Sequence, residues 1–150
     1  MKIEDMFNEL GIQCREYCNP NWLFTNYTLN GKTLYISGHT PTIDGVPQFH
    51  GKVGAEVDLE KAKNAAVLCL ENCLGAIKMA IDDLDNIKSI LKVNGYVASN
   101  PDFVDQAIVI NAVSEPLYKV FGTKHARAAL GVAVLPGNVP VEIELIVELK

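Results

Sequence analysis

Hydrophobic positions along this chain change their period several times, and the changes mark out its elements. Ile3, Met6, Phe7 and Leu10 fall on one helical stripe, so a short helix is expected over Ile3 to Leu10, with Gly11 able to end it. No period holds from Gln13 to Asn21, and Asn19-Pro20-Asn21 reads as a turn. A strand is expected from Trp22 to Leu29, then Asn30-Gly31 as a hairpin turn. Its partner runs from Thr33 to Ser37, with Leu34 and Ile36 on one face and Tyr35 on the other. Gly38 to Val57 is rich in Gly, Pro and Thr and reads as a long loop, a kind of segment that often serves function.

The rest of the chain is more regular. Asp58 is placed to cap a helix running to about Ile81, whose stripe of Ala62, Ala65, Ala66, Cys69, Cys73, Ala76, Ile77 and Ala80 should pack close on a sheet. A strand follows from Ile87 to Ala98. Asn100-Pro101-Asp102 then leads into a second helix from about Phe103 to Phe121, where Pro116 is a candidate kink. Two last strands, Ala126 to Leu135 and Val141 to Leu149, flank Pro136-Gly137-Asn138. The order β-β-α-β-α-β-β predicts an α+β fold: a single sheet with two helices packed on one face, plus the short N-terminal helix. No repeat or linker divides residues 1–150, so one domain is expected. The other sheet face then needs cover, which self-association into a symmetric ring would supply.

Composition narrows the function. At 49% hydrophobic over 150 residues, the chain has enough apolar material for one core. Its 18 acidic against 13 basic side chains, a net charge of -5, disfavour a general binder of nucleic acid or anionic membrane. A local anion site stays open. The start MKIEDMFNELG breaks its apolar positions with charges, and no charge-free run is long enough to span a bilayer, so a cytoplasmic location is expected. Cys14/Cys18 and Cys69/Cys73 are each spaced by four, looser than zinc knuckles, and the second pair falls in an alanine-rich helical pattern where cysteine acts as a small hydrophobe. With three scattered histidines besides, no metal or cofactor is expected.

Two strands carry candidate chemistry. In His125 to Pro136, alternation puts Ala128, Leu130, Val132 and Val134 on a core face and Arg127, Ala129, Gly131 and Ala133 on the other. A lone guanidinium among tiny side chains suits a bidentate grip on a carboxylate; an arginine reaching water from a strand end fits the same pattern. In Val141 to Leu149, Glu142, Glu144 and Glu148 share the non-core face. They read either as an ordinary wet face or as holding one glutamate that a neighbouring subunit covers and that orients a water. Ser37-Gly38-His39 lacks both a nucleophile elbow and an acid to orient His39, which argues against a serine hydrolase. Asn111 reads locally as a solvent-facing residue of the second helix.

Taken in order, several segments resemble the RidA (YjgF) family of reactive-intermediate deaminases. Leu34-Tyr35-Ile36-Ser37-Gly38 followed by Pro41 is similar to the family's early SGQ-x-P signature. Asp102-Phe103, Asn111 and Phe121 resemble its second helix. Ala126-Arg127, Val132-Ala133, Leu135-Pro136 and Val141-Glu142-Ile143-Glu144 resemble its C-terminal signature. Gly51-Lys52-Val53-Gly54 and Gly95-Tyr96-Val97 with Ser99 look like a longer branch, for which residues 1–21 form an N-terminal extension. The resemblance implies a chorismate-mutase-like fold, a homotrimer forming a barrel, and ligand clefts between subunits. It implies Arg127 as carboxylate anchor, Glu142 as the residue that positions water, and Ser37, Gly38, Phe24, Asn111 and Ala129 as substrate-binding positions. Phe24 stands where a tyrosine is common, His39 where glutamine is usual, and Ala128 and Ala129 where many members have Ser and Cys. The implied reaction is hydrolysis of 2-iminopropanoate or 2-iminobutanoate to 2-oxo acids and ammonia, with no cofactor. Alternatives are a non-catalytic trimer binding a small carboxylate such as a 2-oxo acid, and the ribonuclease activity reported in the family, which the acidic charge disfavours.

Overall fold

The stripe of alanines and cysteines lays a long helix flat on a sheet in the computed structural model, which describes residues 1–150. The helices are α1 (Ile3–Glu9), α2 (Leu59–Ile81) and α3 (Gln106–Phe121). The strands are β1 (Tyr27–Asn30), β2 (Thr33–His39), β3 (Thr42–Ile43), β4 (Val46–Pro47), β5 (Ile87–Ala98), β6 (Ala126–Val132) and β7 (Val141–Leu149). Asp58 caps α2, its Oδ1 accepting from Lys61 N at 2.8 Å. By length and composition α2 could cross a membrane, but 67% of its apolar stretch is buried in the core, which accounts for that character. Cys69 and Cys73 donate through Sγ to the carbonyls of Val141 and Ile143, each at 3.5 Å. Burial pushes both thiols well above their usual pKa, so they pack as unreactive small groups.

Five strands form the main sheet in the order β1-β2-β7-β5-β6. Its neighbours are antiparallel except β5 and β6, which run parallel and are joined by α3. On β7, Val141, Ile143, Leu145 and Val147 are buried under the helices, and the intervening residues lie on the opposite face, which no part of this chain covers with a helix. That open face carries Tyr35 and Leu130, both exposed, beside the glutamates. α1 closes one end of the core, where buried Phe7 meets Phe121 edge-on with ring centroids 6.0 Å apart.

Several boundaries differ from the expectation for identifiable reasons. β1 begins at Tyr27, not Trp22; the preceding residues are held instead by buried Asn26, whose Nδ2 donates to Tyr17 O at 2.8 Å. Asn30 pairs with Thr33, so the hairpin turn is Gly31-Lys32, one residue later. The long loop contains the small β3–β4 hairpin, turned by Asp44 and Gly45 at φ 49° and 79°. That Asp-Gly pair is itself a hairpin signal. α3 starts at Gln106, because Asn100-Pro101-Asp102 closes a separate turn with Phe103 N donating to Asn100 O at 3.0 Å. The helix runs on through Pro116, which is buried.

Candidate functional site

Arg127 lies on the face of β6 opposite to the one its sequence pattern suggests. It pairs with Val93, which pairs with Leu145, and both of those point toward the helices. Arg127 therefore faces α3, whereas Leu130, expected in the core, is exposed on the open face. The small residues beside Arg127 let α3 lie close to the sheet. A Cβ on Gly95, the partner of Ala129, would stand 2.5 Å from Ile110 Cδ1. Ala129 packs against the core and borders neither the cavity at Glu142 nor the hollow at Arg127.

The Arg127 guanidinium is fixed through one end. Its Nη1 donates to Asn111 Oδ1 at 2.7 Å and to Ser114 Oγ at 3.3 Å. Asn111 is thus no spare surface residue but the acceptor that aims the arginine. Ser114 Oγ also lies 2.9 Å from His125 Nε2. Burial first, and then the charge of Arg127, lower the pKa of His125, so a neutral ring shares a hydrogen bond with Ser114 Oγ, the same oxygen that accepts from Arg127. The surrounding hollow, about 330 Å³, is bordered also by Glu115, Tyr118 and Lys124. Nothing in the local sequence around Ser114 or His125 marks them; they become relevant through the helix turn that sets Ser114 over β6.

Glu142 projects from the open face. No hydrogen bond reaches its carboxylate, and burial, reinforced by the charge of Glu144, raises its pKa. The other glutamates are occupied: Glu144 accepts from Asn94 Nδ2 at 3.1 Å and Tyr96 OH at 2.5 Å, and Glu148 pairs with Lys88 at 2.9 Å. Gly38 makes the approach possible, since a Cβ there would stand 2.7 Å from Glu142 Oε2. Glu142, Ser37, Gly38, His39 and Phe24 border one cavity of about 340 Å³, into which Arg15 and Tyr17 of the N-terminal segment also reach. His39 is held by its Nδ1 donating to Ser37 O at 2.7 Å, and its burial lowers its pKa. Within one chain, then, Phe24, Ser37, Gly38 and Glu142 share a cavity, Arg127 and Asn111 share another, and the two lie on opposite faces of the sheet.

The profile of the family described as Endoribonuclease L-PSP matches residues 19–149, nearly the whole chain. This chain belongs to that family, the RidA (YjgF) family. Its relatives include Protein TCP17 of Trypanosoma cruzi, 34% identical over 144 residues that cover 94% of this chain and 90% of that protein. The crystal structure of Atu1372, a protein of unknown function from Agrobacterium tumefaciens, has 42% identity and a TM-score of 0.90, covering 99% of this chain and 93% of its own. RidA from an Antarctic Psychrobacter shares the fold at a TM-score of 0.63 and 23% identity, over 92% of this chain and 98% of its own. The α+β, chorismate-mutase-like fold of this RidA-family chain thus agrees with its neighbours. Arg15 and Tyr17 fall before the first profile-matched residue, while the Agrobacterium match extends over them.

This RidA-family chain therefore presents two incomplete halves. One offers an oriented guanidinium with an unengaged Nη2, suited to a planar carboxylate. The other offers an unpartnered carboxylate at the floor of a cavity, suited to holding a water or a proton.

Proposed function

We propose that the chain hydrolyses small 2-imino acids of the 2-iminopropanoate and 2-iminobutanoate type in a cleft formed where copies of a homotrimer meet. Arg127 of one copy holds the substrate carboxylate, and Glu142 of the next positions the water. The observation that supports this reading is the separation of the two groups: each is prepared for a ligand, each lacks the other within its own chain, and the open sheet face is free for a neighbouring copy. In the reaction, water adds to the imine carbon as Glu142 takes its proton. Glu142 passes that proton to nitrogen to give the neutral carbinolamine, then takes the proton of its new hydroxyl and delivers it to the amine, so that the C–N bond breaks, ammonia leaves and the 2-oxo acid remains. Imines react with water unaided, so holding the carboxylate and placing the water is the main requirement. Ser37 and Gly38 line the cleft, and Asn111 keeps Arg127 aimed. Phe24 contributes an apolar wall without a hydroxyl.

The test generates imine with an amino-acid oxidase and follows its disappearance with and without the purified protein. Faster loss of imine, with matching ammonia and 2-oxo acid, is expected. An unchanged lifetime together with binding of the 2-oxo acid would instead favour a non-catalytic carboxylate binder. Light scattering that shows a monomer at working concentration would defeat the shared-cleft geometry. The net charge of -5 disfavours a ribonuclease reading, which calls for neutralising phosphates.

A further inference from the structure

The cavity beside Glu142 holds a second guanidinium that the proposed chemistry leaves unused. Residues 13–17 cross α2 as a strap, so near to Gly75 that a Cβ there would stand 1.8 Å from Arg15 O. Arg15 N donates to Glu71 O at 3.0 Å. The Glu71 carboxylate, only 7% exposed, accepts Gln13 N on Oε1 at 3.1 Å and Arg15 Nε on Oε2 at 2.5 Å. The Arg15 fork is therefore held by its inner nitrogen, and neither of its outer nitrogens makes a hydrogen bond within the protein. Arg15 borders the same cavity as Ser37, Gly38 and Glu142. At about 340 Å³ that cavity falls in the range that accepts ligands well beyond a three- or four-carbon acid.

Building on the deaminase reading, we infer that Arg15 is a specificity-determining residue that binds a second carboxylate, so that the preferred substrates are dicarboxylic 2-imino acids. Arg127 takes the carboxylate next to the imine, Glu142 the water, and Arg15 the distal carboxylate. A guanidinium immobilised through Nε keeps its outer N–H groups as a planar fork, the geometry a carboxylate matches with two parallel bonds. Together with Glu71 it is close to neutral, so it selects by short directional bonds at contact and not by long-range attraction. Tyr17, Trp22 and Phe24 wall the same cavity, with centroids 5.9 Å apart for Tyr17–Trp22 and 4.9 Å for Trp22–Phe24. Arg15 precedes the residues matched by the family profile, so this grip belongs to the N-terminal strap and not to the common fold.

The experiment uses the full chain and two readouts. Calorimetric titration compares 2-oxoglutarate with 2-oxobutanoate, and turnover compares imines generated by oxidases from glutamate and from 2-aminobutanoate. The dicarboxylates are expected to win at least tenfold, both in Kd and in kcat/KM. Arg15→Lys keeps a cation for Glu71 but commits its single ammonium there. The double substitution Arg15→Met with Glu71→Gln removes the buried charge along with its partner and keeps an acceptor for Gln13 N, so a folding defect is avoided. Both variants should lower the dicarboxylate preference at least tenfold. No preference in the unaltered chain, or a preference that survives both variants, overturns the assignment. Preferential 2-oxoglutarate binding that depends on Arg15, with imine lifetimes unchanged, upholds Arg15 and overturns the deaminase reading instead.

Discussion

Gly75→Ala sets two physical effects against each other in one methyl group. In the middle of a helix, this change ordinarily stabilises by about 1 kcal/mol, because glycine loses more backbone freedom on folding. Here the added carbon would stand 1.8 Å from Arg15 O and 2.2 Å from Arg15 C, so the strap must lift from α2. Lifting it disturbs the Arg15 N to Glu71 O bond at 3.0 Å and both bonds to the Glu71 carboxylate, at 3.1 and 2.5 Å. Taking about 1 kcal/mol for the neutral bond and about 1.5–3 kcal/mol for each bond to a charged group, complete loss amounts to about 4–7 kcal/mol. Partial relaxation of the strap and the helix-propensity gain leave a net destabilisation of about 2–4 kcal/mol. In a domain of this size each kcal/mol moves Tm by roughly 2–4 °C, so a fall of about 5–15 °C is expected. Thermal melts at matched protein concentration measure it, and hydrogen exchange at the Gln13 and Arg15 amides should quicken in the variant. An unchanged or higher Tm would show that helix propensity outweighs the contact, and the account of the strap would fail.

Three further outcomes follow from the site. Arg127→Lys keeps the charge but removes the planar fork; losing one charged hydrogen bond of about 1.5–3 kcal/mol should lower kcat/KM roughly tenfold to a hundredfold in the imine assay, and full activity would count against the anchor role. If ionised Glu142 positions the water, kcat/KM falls as pH drops through its raised pKa. Glu144→Gln removes the second cause of that rise, so the acid limb should move to lower pH, whereas Glu142→Gln should abolish turnover at every pH. His125 has a lowered pKa in the folded chain, and its buried Nδ1 has no partner. The unfolded chain then binds the extra proton first, so the stability this group contributes is present above its unfolded pKa of about 6.5 and is lost as pH falls through the folded value. Denaturant titrations from pH 7.5 to 5 should show that loss, and His125→Gln should flatten it.

Elements whose signal is local were legible in the order of residues alone. The 3.6-residue stripe of α2, the strict alternation of β7 and the cap at Asp58 each record which side of one element meets the core, and the structure has them at the expected residues. The family motifs likewise pointed to Ser37, Gly38, Phe24 and Glu142, which the fold gathers into one cavity. Tertiary structure decided the rest, because alternation states that two faces differ without stating which is which. On edge strand β6, where alanine and glycine outnumber larger residues, that ambiguity inverted the reading: the small side chains serve the close packing of α3, and Arg127 turns toward Asn111 and away from Glu142. Arg15 sits in a stretch with no period at all. Its place is set by contacts across 56 residues to Glu71, and the one hint of it in the sequence was Gly75, an unfavourable residue in mid-helix that a crossing backbone requires.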